Sequence, residues 1–444
     1  MNYASKKTPP PLVLTMAEQG GEALRRRWPW TEPSVWTERM LVALENGVKG
    51  GVWFSLMDKV YAPKTLLAAA TRVEQNDGAA GIDGQRVEHF AARRASILKE
   101  LHEGLRNGSY RPKAVRRVWI PKPGTNQKRP LGIPTVRDRV VQGALRAVLE
   151  PIYERRFSEH SYGFRPGRGC KDALRRVDEL LHAGYTHVVD ADIQSYFDRI
   201  DHDLLMEEMR KEIADGSVLA LLRMFLEQRV MDGLEEWTPD EGTPQGAVIS
   251  PLLANSFLHP IDLVMRDAGF EMVRYADDLV ILCKSAADAE NAHALLAAQV
   301  TARKLTLHPE KTRIVDATQP GGFDFLGYHF ERGRKTPRKK SLQKLRDSIH
   351  EKTPRNSGES LKCIVAALNR TLKGWFEYFK HCARPTFGIV DGFVRRRLRA
   401  MLLRRRNRRG FGAGFANIRW PNAFFAKQEL YSLAAAHADA RHAR

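Results

Sequence analysis

Tyr275-Ala276-Asp277-Asp278 lies between two short β-prone segments, residues 272–274 and 279–282. Two adjacent carboxylates between apolar strands predict the tip of a β-hairpin. Burying both groups is unfavourable, because like charges raise each other's pKa and desolvation penalises each of them. A bound divalent cation removes that penalty. Aspartate is also common in ordinary turns, so the hairpin alone leaves both interpretations open.

A second strand that carries carboxylates is predicted upstream, over residues 186–193. Period-two alternation places Asp190 and Asp192 on the same face of this strand. Asp192 and the Asp277-Asp278 pair could together hold two Mg²⁺ ions roughly 3.5–4 Å apart, the arrangement used for in-line nucleotidyl transfer. The sequence therefore predicts a two-metal site between the strand and the hairpin.

The hairpin motif and residues 192–198 (DIQSYFD) resemble the two palm motifs of a reverse transcriptase. The surrounding residues resemble bacterial group II intron-encoded reverse transcriptase/maturases. This resemblance implies an α+β fold: a right-hand polymerase with fingers and a palm containing an antiparallel sheet, followed by a helical thumb/maturase domain. It also implies that Asp192, Asp277 and Asp278 are catalytic, and that they bind Mg²⁺ together with Ile193.

The composition indicates a polyanionic partner. The 444 residues include 72 Lys and Arg against 52 Asp and Glu, which gives a formal net charge of +20. Such an excess indicates nucleic acid or a membrane surface. No apolar run approaches the length of a membrane span and the chain does not start with a secretory pattern, so nucleic acid is favoured.

The cysteines indicate a reducing environment. Cys170, Cys283, Cys363 and Cys382 are widely spaced and form neither a CxxC pair nor a disulfide framework. A cytoplasmic protein without a zinc site is expected. For the same reason, the metal-bound DNA endonuclease domain of the longest members of the family is expected to be absent.

The resemblance assigns four residues to the incoming nucleotide. Residues 111–129 contain seven Lys or Arg and no acid, and correspond to the fingers hairpin, where Lys122 and Arg129 would bind the triphosphate. Phe197 would lie under the sugar and reject a 2′-hydroxyl. Gln245, in the motif at residues 242–255, would contact the nucleotide. A solvated loop for 111–129 and a core position for Phe197 are the structural alternatives.

Two further motifs resemble template and primer contacts of the family. The glycine-rich loop at residues 162–169 would bring Arg165 and Arg168 to the template phosphates, although an ordinary loop has a similar composition. Phe325, Leu326 and Gly327 match the primer-grip turn, where the glycine would let the primer backbone pass closely.

The C-terminal part is basic and helical. Residues 332–340 hold six basic residues in nine and predict a linker, and residues 341–395 predict helices that resemble the maturase-specific region. Residues 395–409 contain nine arginines and no acid, which favours phosphate binding over a solvated helix. The nucleic-acid-binding candidates in this run are Arg395, Arg396, Arg404, Arg405 and Arg406.

These motifs predict four regions. They are an N-terminal extension (1–60), reverse transcriptase fingers and palm (61–330), a thumb/maturase domain (331–395) and a basic nucleic-acid-binding segment (396–444). In the extension, the basic residues and the interleaved tryptophans (Trp28, Trp30, Trp36 and Trp53) could neutralise and stack on nucleic acid, but packing of the tryptophans on the main body is favoured.

The predicted function is that of an RNA-directed DNA polymerase that also helps its own intron RNA to splice. The partners would be group II intron RNA, an RNA template with a DNA primer, target DNA and dNTPs. A related reverse transcriptase co-opted for phage defence is one alternative, against which the thumb resemblance argues. A splicing-only RNA-binding protein is another, against which the intact carboxylates argue.

Overall fold

A computed structural model describes residues 23–48, 50–121, 128–408 and 413–442. The chain divides into two compact units, each assembled from separate stretches. The first comprises residues 1–173, 191–279 and 291–312, and the second comprises residues 174–190, 280–290 and 313–444. Among the described residues, no helix has the length and apolar character that a membrane span requires.

Helices dominate the first unit. They are α1 (Glu38–Asn46), α2 (Met57–Val60), α3 (Pro63–Asn76), α4 (Val87–Ala92), α5 (Arg94–Arg106), α6 (Val136–Glu154), α7 (Cys170–His182, which continues into the second unit), α8 (His202–Arg210), α9 (Gly216–Leu226) and α10 (Ser250–Asp267). Helix α11 (Ala286–Ala302) begins in the second unit and lies mostly in the first.

Side-chain caps explain where several of these helices begin. The side chain of Thr135 accepts a hydrogen bond from the backbone N–H of Asp138 and starts α6. Asp201 does the same for Leu204 at the start of α8. At the start of α11, the backbone N–H of Asp288 donates to the hydroxyl of Ser285, which donates in turn to the carboxylate of Asp288.

The tryptophans of the N-terminal region are mainly packing residues. Trp36 is fully buried and its indole N–H donates to the carbonyl of Ala147 on α6 at 2.9 Å. Trp28 is buried as well and donates to Glu45 at 2.7 Å. The packing interpretation is therefore confirmed for these two rings.

A four-stranded sheet in the first unit contains the predicted fingers hairpin. Its strands are β1 (Val115–Pro121), β2 (Lys128–Ile133), β4 (Val230–Asp232) and β5 (Glu235–Trp237), in the order β2-β1-β4-β5. Strands β1 and β2 pair antiparallel, whereas β1 and β4 are parallel.

A second four-stranded sheet carries the predicted carboxylates. It consists of β3 (His187–Asp192), β6 (Glu271–Tyr275), β7 (Asp278–Cys283) and β8 (Arg313–Asp316), in the order β6-β7-β3-β8. In β3, Asp190 and Asp192 are both half-exposed while Val189 and Ala191 are buried, as the predicted alternation requires.

The second unit ends in a small sheet and a helical region. Strands β9 (Phe323–Phe325), β10 (Tyr328–Glu331) and β11 (Arg334–Pro337) form an antiparallel meander. The helices that follow are α12 (Lys339–Lys352), α13 (Leu361–Phe379), α14 (Pro385–Arg404), α15 (Phe415–Arg419), α16 (Asn422–Lys427) and α17 (Leu433–His442).

The structure corrects one local prediction. Residues 332–340 are not a linker: Arg334–Pro337 is the edge strand β11, paired with β10, and α12 begins at Lys339. Basic side chains are tolerated on an edge strand because one of its sides faces solvent.

Candidate active site

One buried arginine holds the turn that carries the two aspartates. Arg274, at the end of β6, is 1% exposed, and its guanidinium forms a two-pronged ion pair with Asp262 of α10. The same guanidinium donates to Asn255 at 3.0 Å and to the carbonyl of Ala276 at 2.9 Å. Ala276 has a positive φ of 59°, and the bond to its carbonyl stabilises this strained turn.

The glycine-rich loop is packed against the same turn. Tyr162 donates a backbone hydrogen bond to the carbonyl of Arg274, and the Asn255 amide donates to the carbonyl of Gly163 at 2.8 Å. A Cβ atom at Gly163 would lie 2.3 Å from the backbone nitrogen of Ala276, so no side chain fits there. This close approach requires glycine at position 163.

The carboxylate of Asp277 has a pKa above its ordinary value. Burial raises its pKa above the ordinary value, the charge of Asp192 raises it further, and Arg129 and Arg274 oppose these effects. Asp192, 45% exposed at its side chain, accepts a hydrogen bond from the ammonium group of Lys311 at 2.7 Å. The site therefore brings Asp192 and Asp277 into electrostatic contact and adds a lysine that the sequence did not predict.

The carboxylates fit a hard divalent cation by their chemistry. Asp277 and Asp192 repel each other and Asp277 is desolvated, which is the situation that a cation relieves. Within the described residues, no three His, Cys, Asp or Glu side chains are already gathered as a metal cluster. The side chain of Ile193 is buried, so its backbone would be the part available to a metal.

An aromatic cluster adjoins the aspartates. Phe197 is half-buried rather than a core residue, and its ring lies 6.4 Å from that of Phe164. Phe164 is also 6.4 Å from Tyr275, is 46% exposed and has a positive φ of 59°. An exposed aromatic ring on a strained backbone was not predicted, although it stands inside the quoted 162–169 motif.

The loop of residues 242–248 is fixed on both sides. Gly242 and Thr243 donate backbone hydrogen bonds to the carbonyls of Ile200 and Phe197. The carbonyl of Gln245 accepts from Gly132 of β2 at 2.7 Å, which ties this loop to the predicted fingers hairpin. Gln245 itself is half-buried.

Of the two predicted triphosphate ligands, the structure describes one. Arg129 lies on β2, opposite Ile120 of β1, and its charge lowers the pKa of Asp277. It therefore lies close enough to the carboxylates to act at the same site. Lys122 lies outside the described residues.

Arg165 does not reach the template as predicted. Its side chain is buried, forms a bidentate ion pair with Glu154, and donates to the carbonyls of Ser158 and Ser161. These bonds use the guanidinium to hold the glycine-rich loop, which is the physical reason for the correction. Arg168 is about one-third exposed beside Tyr162, and its template contact stays a prediction.

The predicted primer-grip turn lies in the second unit. Phe325 is fully buried, so its ring is a core residue and cannot touch a primer. Leu326 and Gly327 have positive φ values of 46° and 84°, and the carbonyl of Leu326 accepts from Tyr378. A Cβ atom at Gly327 would lie 3.3 Å from the hydroxyl of Ser341, and the positive φ favours glycine there; the primer contact stays a prediction.

The five candidate arginines in and just after helix α14 differ in their contacts. Arg396 and Arg404 are exposed, whereas Arg395 is half-buried 3.9 Å from Asp391. Arg405 donates to backbone carbonyls of Ser357 and Glu359, and Arg406 lies over the ring of Trp420. Their phosphate contacts stay predictions, and all of the five except Arg395 are exposed.

Two family models match separate parts of the chain. Residues 120–330 match the family model of reverse transcriptase (RNA-dependent DNA polymerase), and residues 342–418 match that of the group II intron maturase-specific domain. Protein YkfC of Escherichia coli K12 is 31% identical over 382 residues, which cover 76% of this chain and 94% of that protein. The chain belongs to the group II intron reverse transcriptase/maturase family.

Two intron-encoded relatives share a shorter region with this family member. The group II intron-encoded protein LtrA of Lactococcus lactis subsp. cremoris is 36% identical over 202 residues, 45% of this chain and 33% of LtrA. The putative COX1/OXI3 intron 1 protein of Saccharomyces cerevisiae is 31% identical over 205 residues, 46% of this chain and 24% of that protein. The chain thus matches a third or less of the length of these two relatives.

Family membership confirms the predicted architecture and the coarse function. The α+β reverse transcriptase part is followed by a helical maturase region, as expected. The two domains support reverse transcriptase and splicing maturase function.

Proposed function

We propose that this chain synthesises DNA on an RNA template with two Mg²⁺ ions bound by Asp192, Asp277 and Asp278. The observation that carries the proposal is the half-buried Asp277, whose pKa is raised by desolvation and by Asp192 and lowered by Arg129. A carboxylate kept in so unfavourable a place, beside a second carboxylate and a cation, is typical of a catalytic centre.

Bound there, the metal ions would lower the pKa of the primer 3′-hydroxyl and stabilise the departing pyrophosphate. The chain's own residues would do the positioning. Arg274 fixes the turn that presents Asp277, and Arg129 would bind the triphosphate as a charged hydrogen-bond donor. Gln245 would orient the nucleotide from the anchored 242–248 loop.

The sugar would be selected by Phe197. Its half-buried ring lies beside that of Phe164. The preceding residue is Tyr196, whose hydroxyl donates to the carbonyl of Ala254. This hydroxyl bond holds the backbone from which Phe197 projects. A ring held in this way can exclude a 2′-hydroxyl by steric contact.

The proposed partners are group II intron RNA, an RNA template with a DNA primer, target DNA and dNTPs. The proposed regions are the N-terminal extension (1–60), the fingers and palm (61–330), the thumb/maturase domain (331–395) and the basic segment (396–444). The last boundary falls within helix α14, so the arginines on its two sides belong to one continuous helix.

The substitution Asp277→Asn tests the proposal, because it removes one negative metal ligand and keeps the side-chain shape. We expect loss of nucleotide incorporation on a primed RNA template by about a thousandfold, with splicing of the precursor RNA retained. Asp267→Asn is the matched control, since Asp267 is an exposed partner of Arg266 at the end of α10. Unimpaired incorporation in the Asp277 variant would refute the metal site.

A further inference from the structure

A basic cavity lies in the second unit, between its small sheet and its last helices. Its volume is about 400 Å³, which is within the range of small-molecule sites. The basic residues that line it are Lys335 of β11, Lys380 and Arg384 of the turn between α13 and α14, and Arg441 of α17. No aspartate or glutamate is among the described residues of its lining. The cavity is therefore electrostatically suited to an anion.

Two of these four cations already have acidic partners. The ammonium group of Lys335 lies 2.8 Å from a carboxylate oxygen of Asp178, and that of Lys380 lies 3.0 Å from the glutamate three residues before it. Arg384 and Arg441 are exposed and form no ion pair within the part of the chain that the structure describes. Both arginines thus keep an uncompensated positive charge at the cavity.

His437 provides a second, independent observation that points to a ligand. It lines the cavity and is only 8% exposed, yet its imidazole forms no hydrogen bond or ion pair with the other described residues. Its ring stacks on the buried ring of Phe387, with the two centroids 4.5 Å apart. The stacking occupies a face of the imidazole and leaves its two nitrogens without partners. Neither nitrogen is among the fully enclosed polar atoms without a partner, so the cavity gives access to them.

The two unpaired guanidinium groups both act on this imidazole. Burial lowers the pKa of His437, and the charges of Arg441 and Arg384 lower it further. Arg441 follows His437 by four residues in α17, so the two side chains are neighbours on one face of the helix. Two positive charges close to one ring repel each other, and an anion between them would remove this repulsion.

We propose that this cavity binds a small phosphorylated molecule through its terminal phosphate group. A terminal phosphate carries a charge of about −1.5 to −2 at pH 7, which matches two guanidinium groups, whereas a phosphate of a nucleic-acid backbone carries a single charge. Arg384 and Arg441 would bind the phosphate oxygens, and His437 would donate a further hydrogen bond. The volume leaves room for a second phosphate or a sugar beside the bound group.

Such a ligand would connect three elements of the second unit. Arg384 directly precedes α14, Arg441 lies near the end of α17, and Lys335 lies on β11. A phosphate bound by these residues would hold the last helix to the sheet and to the turn between α13 and α14. The site shares no residue with the proposed polymerase centre, and the inference does not rest on polymerase activity.

The test is a calorimetric titration of the full-length protein with inorganic pyrophosphate, without Mg²⁺ and without nucleic acid. We expect binding to the wild type. Arg384→Gln and Arg441→Gln should each weaken it by about tenfold to a hundredfold, because each removes a charge-assisted hydrogen bond. Arg370→Gln is the matched control and should leave the affinity unchanged, since this exposed arginine of α13 does not line the cavity.

Two further variants separate binding from folding and from the polymerase centre. His437→Phe keeps a ring that can stack on Phe387 and removes both nitrogens. Its affinity should fall by about fivefold, while its unfolding temperature without ligand should stay that of the wild type. Arg129→Ala removes a predicted triphosphate ligand and should leave pyrophosphate binding intact.

Two results of the titration would overturn the proposal. One is an equal affinity for pyrophosphate in the wild type and in both variants at Arg384 and Arg441. The other is loss of binding in Arg129→Ala, which would place the pyrophosphate at the proposed nucleotide site. Failure of the polymerase proposal is tested separately, by nucleotide incorporation in the Asp277→Asn protein.

Competition with pyrophosphate identifies the source of the phosphate. The competitors are adenosine diphosphate, a short 5′-phosphorylated RNA and the same RNA without the phosphate. Displacement by adenosine diphosphate is the expected result and supports a free small molecule. Displacement by the 5′-phosphorylated RNA alone would show that the ligand is a strand end, and the small-molecule proposal would be wrong. Displacement by the unphosphorylated RNA would identify a backbone contact and would overturn the proposal as well.

Discussion

The Nε of Arg274 donates to Oδ1 of Asp262 at 2.7 Å, and both side chains are almost completely buried. The second prong of this ion pair joins the terminal nitrogen to the other carboxylate oxygen. Asp262 holds the pKa of Arg274 above its usual value despite burial, which on its own lowers the pKa. The charged pair thus fixes Arg274, which holds the turn that carries the aspartates.

Breaking this pair should destabilise the first unit strongly. Asp262→Asn leaves the Arg274 charge buried without compensation, which costs about 3–5 kcal/mol in other buried pairs. The free energy of unfolding, measured with urea, should fall by that amount. Asp267→Asn is the control, because its exposed pair with Arg266 should contribute less than about 1 kcal/mol. A loss equal to that of the control would contradict the structural role of the pair.

Asp277→Asn should stabilise the metal-free protein at neutral pH. The pKa of Asp277 is raised in the folded state, so the folded protein binds more protons there than the unfolded chain does. Its contribution to stability is therefore complete below the ordinary pKa and decreases as the pH rises through the raised value. Asparagine does not titrate, so the variant lacks this pH-dependent loss of stability. Thermal unfolding of both proteins across that pH range measures the difference.

Mg²⁺ should reverse the order of stability of the wild type and the Asp277→Asn protein. Mg²⁺ that binds the folded state stabilises it by mass action, so the wild type should gain more stability than the Asp277→Asn protein. Thermal unfolding in a Mg²⁺ titration provides the comparison. Equal gains in both proteins would show that Asp277 is not a metal ligand.

Lys311→Met should lower the Mg²⁺ concentration required for half-maximal incorporation. The ammonium of Lys311 competes with a metal for one oxygen of Asp192, and the pair is largely exposed, so it is weak. The expected change is about fivefold or less. Lys304→Met is the control, because that lysine pairs with Asp201 at the start of α8. A higher Mg²⁺ requirement would mean that Lys311 assists the metal.

Phe197→Ala should increase incorporation of ribonucleotides relative to deoxyribonucleotides. The ring of Phe197 is half-buried next to Phe164, so its removal opens space on the sugar side of the proposed nucleotide site. Phe197→Tyr keeps the ring and should keep the discrimination. Parallel kinetics with both nucleotide classes provide the ratio, and a constant ratio with lower overall activity would place the gate elsewhere.

Arg404→Ala and Arg399→Ala should have different effects although both residues lie on helix α14. Arg404 is exposed, and loss of one phosphate contact should reduce the log–log salt slope of RNA binding by roughly 0.7–0.9. Arg399 is buried and donates to Trp420 and Asn422, so its loss should lower stability and leave the slope unchanged. A salt slope that Arg404→Ala leaves unaltered would exclude a phosphate contact.

The strands and caps around the site were predictable because their signals are local. The alternation around Asp192, the apolar segments beside Asp277 and the capping residue Asp201 each depend on a few neighbouring residues. The helical C-terminal region was predictable for the same reason. The prediction of a linker at residues 332–340 was wrong, because the pairing of β11 with β10 is a tertiary feature.

The roles of individual arginines were less predictable. Arg165 and Arg405 stand in basic motifs, but both donate to carbonyls of their own chain, a choice that depends on the folded backbone. Arg274 offered a usable signal, because a charged residue in an apolar strand requires a buried partner. An aspartate within the apolar helix α10 was the matching half of that signal.

The close approach of Gly163 to the backbone amide of Ala276 has a consequence for protein engineering. Because no side chain separates them, the glycine-rich loop and the aspartate turn depend on each other and must be exchanged together. A hairpin exchanged from another polymerase should function only when residues 161–165 are exchanged with it. Libraries intended to improve the enzyme should accordingly keep this unit intact and place diversity on the solvent-facing side of the sheet.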